Sequence, residues 1–135
     1  MLKIPSTIYD KMIKHCQSEL PNEACGILGG KENIITEIYC MENIEKSPES
    51  FLMNPKEQIR VIKELRDKEL DMKAIYHSHP FSPARPSKKD IDMAFYDKVY
   101  YLIISFSSEN PEIKVFSIVN KKAEEIAFEI VTRDS

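Results

Sequence analysis

The stretch Ala74-Ile75-Tyr76-His77-Ser78-His79-Pro80-Phe81-Ser82-Pro83-Ala84-Arg85-Pro86-Ser87-Lys88-Lys89-Asp90 carries most of what this chain says about its architecture and chemistry. Lys73 to His79 reads as a strand whose most apolar part is Ala74-Ile75-Tyr76. A strand sends residues i and i+2 to one face, so His77 and His79 project together from its end and Ser78 turns the other way. Pro80, Pro83 and Pro86 then exclude regular structure and stiffen the return. Ser87 opens a helix predicted to run to about Tyr96, with Asp90 in its first turn, able to face back toward the histidines. Two imidazoles and a carboxylate are three ligands of the types that a hydrolytic zinc site uses, with the fourth position left to water.

Each part has a plainer reading. Ser87-x-x-Asp90 is a helix capping box, and two strand histidines can be satisfied by backbone carbonyls. The joint pattern, H-x-H-P, six residues, S, two residues, D, is what favours a metal. Other H-x-H chemistries lack their remaining parts. A metallo-β-lactamase-type site needs Asp-His directly afterwards, where Pro80-Phe81 stands. A barrel amidohydrolase needs about 250 residues. A cupin needs a third histidine downstream, and a zinc nucleobase deaminase needs P-C-x-x-C; the chain has neither. The remaining histidine, His15, falls in a helix as a surface or half-buried residue.

Working outward, Ile8, Met12, Ile13, Cys16 and Leu20 recur at helical spacing between Pro5 and Pro21. Ala24 to Gly30 reads as a buried strand and turn, with Ile34 to Met41 as its partner. Ser47-Pro48 marks a loop, and Phe51–Met53 reads as a short edge strand. Asn54 caps a second helix, with Pro55 at its first position and Glu57 reaching back; Ile59, Val61, Ile62 and Leu65 form its apolar face up to about Leu70. Tyr100–Ser107, Ile113–Asn120 and Glu124–Val131 read as three strands, separated by turns at Asn110-Pro111 and Asn120-Lys121-Lys122. This is an α/β mixture around one sheet, with antiparallel pairing expected at its C-terminal end.

At 135 residues the chain is expected to form one domain, residues 1–135, able to bury about two-thirds of its unfolded surface. Apolar residues make up 42% and charged residues 30%, as in ordinary globular proteins. A net charge of −3 with no basic stripe gives no reason to propose nucleic-acid binding. Cys16, Cys25 and Cys40 are odd in number and contain no C-x-x-C, so a reduced, cytoplasmic protein is expected. MLKIPSTIYDK lacks a signal-peptide core, and the apolar run 99–106 is too short to span a bilayer.

His77-Ser78-His79-Pro80…Ser87…Asp90 closely resembles the signature of the JAMM (MPN-plus) metallopeptidases. Pro21-Asn22-Glu23-Ala24-Cys25-Gly26-Ile27-Leu28-Gly29-Gly30 resembles the family's upstream segment, with Glu23 at its glutamate position. The likeness runs over nearly the whole chain and is closest to the small stand-alone prokaryotic members. It implies a cytidine-deaminase-like mixed central sheet flanked by helices. It further implies a Zn²⁺ ion on His77, His79 and Asp90, with Glu23 moving the proton and Ser87 donating a hydrogen bond to the oxyanion. The implied partner is a ubiquitin-like sulfur-carrier protein, cut at a peptide or isopeptide bond of its C-terminal tail. Such a tail would add to a sheet edge near Phe51–Met53. The long insertions with which eukaryotic members grip ubiquitin have little room in this chain. Two other classes fit the family: a hydrolase of small-molecule amides, and a binding scaffold that has lost its metal ligands. From the residues alone, Glu23 also reads as a surface glutamate after a turn. Cys25 reads first as small buried packing, and otherwise as a thiol nucleophile with His77 as base.

Overall fold

A computed structural model describes residues 1–132. In chain order the elements are β1 (Leu2–Pro5), α1 (Ser6–Ser18), β2 (Cys25–Lys31), β3 (Ile34–Met41), α2 (Pro55–Asp67), β4 (Asp71–His79), α3 (Lys88–Asp92), β5 (Tyr100–Ser105), β6 (Glu112–Val119), β7 (Lys122–Ile126) and β8 (Phe128–Val131). The strands form one mixed sheet in the order β7-β6-β5-β4-β2-β3-β1-β8. The histidine strand β4 lies inside it, antiparallel to β2 and parallel to β5.

Strand alternation divides the core into two layers. Ala74, Tyr76, Leu28, Leu102 and Ile104 face α1, which buries Ile8, Met12 and Cys16 against them. Full burial of each such side chain contributes about 1.5–3 kcal/mol before the entropy of ordering is subtracted. Ile75, Ile27, Ile103 and Tyr101 face the opposite side, with Val61 and Leu65 of α2 and the partly buried Ile91 of α3. Gly26 has no room for a side chain, since a Cβ there would stand 2.2 Å from the Tyr76 ring and 2.5 Å from the Tyr39 carbonyl oxygen. The sheet is therefore flanked by helices, with the histidines on the α2 and α3 face.

Most elements fall where the sequence places them, and the departures have physical reasons. Phe51–Met53 is not a strand; one bridge, Asn43 to Met53, is its whole share of the sheet. Asn54 caps α2 as expected, its Oδ1 accepting the Lys56 N–H (2.9 Å) and the Glu57 N–H (3.4 Å). Glu57, however, does not reach back to the cap, because its Oε1 accepts the Glu42 N–H at 2.9 Å instead. Helix α2 stops at Asp67, and Ile59 faces solvent, outside the apolar stripe. Helix α3 has five residues and ends well before Tyr96.

The run expected as one strand from Glu124 to Val131 is two. β7 pairs antiparallel with β6, while β8, one residue later, pairs in parallel with β1 at the other end of the sheet. Ile126 and Phe128 can lie at most about 7 Å apart, so the sheet curls until its two edges adjoin at Ala127. β1 itself was not anticipated, being four residues long and ending in a proline that gives no ladder donor.

Candidate metal centre

β4 delivers His77 and His79 to one face at the end of the strand, both nearly inaccessible to solvent. The chain then turns through residues 80–86, a segment pinned by three hydrogen bonds. His79 Nδ1 donates to the Pro83 carbonyl (2.8 Å), Ser105 Oγ donates to the Ser82 carbonyl (2.6 Å), and the Arg85 N–H returns to Pro83 O (2.8 Å). Ala84 is buried beneath it. At the far end, Ser87 and Asp90 do form a complete capping box: Ser87 Oγ accepts the Asp90 N–H (3.0 Å), and Asp90 Oδ2 accepts the Ser87 N–H (2.9 Å). The cap aims the same Oδ2 at the histidines, so the plain reading and the metal reading hold together.

His77 Nε2, His79 Nε2 and Asp90 Oδ2 form a triangle with all three sides 3.1 Å. The tautomer tests whether this triangle suits a cation. A carbonyl only accepts, so His79 must carry its proton on Nδ1, leaving a bare lone pair on Nε2 when the ring is neutral. That lone pair converges on a carboxylate oxygen and a second imidazole nitrogen, a set of donor atoms that one cation could join. A tetrahedral zinc with bonds of about 2.0 Å spaces its ligands by about 3.3 Å, close to what these atoms already have. The three residues fit a zinc ion, and His79 has the second hydrogen bond that orients metal-binding imidazoles.

The electrostatics agree with this geometry. Burial disfavours the Asp90 anion, but the hydrogen bonds and charge of the two histidines, with the Ser87 N–H, outweigh it and hold the carboxyl well below its usual range. Burial pushes the His77 imidazolium down, against the pull of Asp90. At His79 burial is overcome by Asp90, the Pro83 carbonyl and Glu23, so its value rises.

Glu23 is buried, only 4% exposed, which removes the reading of a surface residue after a turn. Cys25 is the Cα partner of His77, and Ala24 and Ser78 exchange two hydrogen bonds: Ala24 N–H to Ser78 Oγ (2.8 Å) and Ser78 N–H to Ala24 O (3.1 Å). Continuing that register sets Glu23 opposite His79 and on the same face. Its Oε1 is buried with no hydrogen-bond partner among the described residues. Burial raises the carboxyl to about 8, with His79 and Lys89 opposing and the negative charge of Asp90 and Glu45 reinforcing the shift. Ser78, turned to the opposite face, ties β4 to β2 and so fixes where Glu23 begins.

Cys25 is fully buried, its Sγ 3.7 Å from the Glu42 carbonyl, and burial pushes its thiol up to about 12. It packs and does not supply a thiolate at neutral pH. His15 is half-buried on α1, its Nδ1 2.7 Å from the Tyr76 hydroxyl and remote from the triangle.

Two contacts around the triangle were not anticipated. The Phe51 ring stacks on His77, with centroids 4.6 Å apart and planes 24° from parallel. Phe51 and Met53 also wall an apolar cavity of about 270 Å³, closed by Met93, Tyr96 and Ile103 and reaching His77 and Asp90. The cavity lies on the β5–β6 side of β4 and Glu23 lies on the β2 side, so the triangle stands between them. Asn43, in the loop before α2, is the other: a buried amide joined to the Glu23 carbonyl. Nothing in a lone N in a loop marks Asn43, and the segment Phe51–Met53, expected as an edge strand, gives no sign that its phenyl ring stacks on His77.

Comparison with known proteins bears on the family of the chain. The model of the family described as prokaryotic homologs of the JAB domain matches residues 5–119. The CysO-cysteine peptidase of Mycobacterium tuberculosis is 29% identical over 123 residues, 89% of this chain and 84% of that one. A probable TtuB-protein conjugate cleaving protease of Thermus thermophilus is 32% identical over 104 residues, covering 76% and 69% of the two chains. The solution structure of protein DSY2949 from Desulfitobacterium hafniense superposes with a TM-score of 0.87 at 36% identity, covering 100% of this chain and 94% of that one. The match across residues 5–119, over a curled mixed sheet that brings two histidines and an aspartate together, places this chain in the prokaryotic JAB-domain (JAMM/MPN) family.

Proposed function

We propose that this protein is a zinc-dependent peptidase that hydrolyses a peptide or isopeptide bond at the C-terminal tail of a ubiquitin-like sulfur-carrier protein. The observation that carries the reading is the triangle of three converging ligand atoms, with a buried glutamate oxygen nearby that has no partner among the described residues. His77, His79 and Asp90 would hold the ion. Zinc in such a site polarises an amide carbonyl and brings the pKa of a water close to neutrality. Glu23, kept from full solvation, takes a proton from the attacking water and passes it to the leaving amine. Ser87 already accepts the Asp90 N–H, which leaves its hydroxyl proton free to donate to the oxygen that gains negative charge.

The substrate class is supported by the two peptidase relatives, whose names refer to a carrier–cysteine bond and to protein conjugates. The layout adds to this. With Glu23 serving the leaving amine on the β2 side, the acyl side of the substrate falls toward β5 and β6, where the apolar cavity can receive side chains of the tail.

Asp90→Asn tests the enzyme reading against a scaffold reading. It keeps the size of the side chain but removes the anion and one ligand. Zinc stoichiometry should fall from one ion per chain, and turnover of a carrier with an extended tail should drop by on the order of a hundredfold or more. Undiminished turnover in Asp90→Asn would refute the assignment. Comparing the intact carrier with its isolated tail peptide tests the substrate class; equal turnover of both would contradict a carrier-protein peptidase.

A further inference from the structure

Asn43 is 4% exposed and uses its whole hydrogen-bonding capacity. Its Nδ2 donates to the Glu23 carbonyl (3.0 Å) and the Ser50 carbonyl (3.1 Å). Its Oδ1 accepts the N–H groups of Glu45 and Leu52, both at 3.1 Å. The acceptor half organises the loop that carries Phe51 over His77. The donor half reaches out of that loop to the residue opposite His79. The Glu23 N–H is held by the same loop, donating to the Ser47 carbonyl at 2.8 Å. Glu23 lies just before β2, and its own backbone N–H and carbonyl are held by this loop.

Loop closure does not require Asn43. The neck is already shut by Ile44 N–H to Leu52 O (3.0 Å), Asn54 N–H to Glu42 O (3.3 Å) and the bridge to Met53. What this side chain adds to the Ser47 bond is a tie across 20 residues to the Glu23 carbonyl. We propose that Asn43 is a positioning residue, which sets Glu23 against the two histidines and aspartate and couples it to the loop bearing Phe51. The inference rests on the reading of Glu23 as the residue that moves the proton.

The test is a double-mutant cycle with Asn43→Asp and Glu23→Gln in the zinc-loaded protein, read as kcat and KM on a carrier with an extended tail. Asn43→Asp preserves size and the acceptor half but places an oxygen against two carbonyls. The expected result is unchanged zinc stoichiometry, KM within about threefold, and kcat lowered by roughly tenfold to a hundredfold, as small misplacements of catalytic groups produce. In single turnovers with Glu23→Gln present, the same substitution should change the residual rate by less than about twofold, because nothing remains to be positioned. Wild-type kcat in Asn43→Asp would overturn the proposal. So would an undiminished loss on top of Glu23→Gln, which would make Asn43 merely structural. If Asn43→Asp does not fold, Asn43→Ser enters the same cycle under the same criteria. Full turnover by Glu23→Gln alone would overturn both the reading of Glu23 and this inference. An inactive Glu23→Gln with a fully active Asn43→Asp would overturn only the inference.

Discussion

Two carboxylates on the His79 side of the sheet are driven in opposite directions, and the cause is what each one touches. Asp90 accepts a backbone N–H and faces two imidazoles, so it stays ionised far into acid. Glu23 is buried with an unpartnered oxygen, so its proton is held to about pH 8. In zinc-free protein this has a measurable sign. Between the ordinary glutamate value of 4.5 and about 8, the unfolded chain has lost the Glu23 proton while the native chain keeps it. Stability must therefore fall as pH rises through that window, and level off above it. Glu23→Gln removes this contribution, so the chelated variant should overtake wild type in denaturant stability as the pH approaches 8. Parallel pH profiles for the two proteins would contradict the assigned environment of Glu23. At this scale the sequence was informative where one strand's alternation does the work, at His77 and His79. It was silent on the burial of Glu23, which is imposed by a neighbouring strand and a loop distant in sequence.

Among the elements, the coupling of β4 to β2 matters most for the site. Ser78 stands between the two histidines, on the other face, and its hydroxyl accepts the Ala24 N–H next to Glu23. Ser78→Ala leaves that buried N–H without a partner, a loss of about 1–3 kcal/mol. Chemical denaturation should register the loss directly, with zinc still bound, because neither histidine nor Asp90 is altered. Unchanged stability would mean that the clamp contributes nothing. The sequence made most elements legible because their apolar periods are long. It failed at the short and shared ones: β1 has too few residues to show a period, and Phe51–Met53 has strand residues but only one bridge. Glu124 to Val131 contains no turn residue, yet Ala127 divides it between two partners. Local pattern cannot reveal that division, since it follows from the curl of the whole sheet.

For the whole molecule, the fold brings Glu23, the His77–His79–Asp90 group and an apolar cavity together from the start of β2, β4, α3 and the loop before α2. No helix of the described residues is long and apolar enough to cross a membrane. A ligand that binds only the native state stabilises it by about 2.7 kcal/mol at a hundred times its dissociation constant. Zinc in such excess should thus raise the melting temperature by on the order of ten degrees for a chain of this size. Thermal melts with and without chelator check this, and a transition indifferent to zinc would argue against an ion on His77, His79 and Asp90. The most direct test joins the ion, the glutamate and the substrate. Ubiquitin-like sulfur carriers from the same organism, each with a C-terminal extension or a cysteine adduct, are incubated with zinc-loaded wild type and with Glu23→Gln, and their intact masses are followed. Mass should be lost from the tail of one carrier with wild type, and about a hundredfold or more slowly with Glu23→Gln. Equal loss with both proteins, or no loss from any carrier with one zinc bound per chain, would contradict the account.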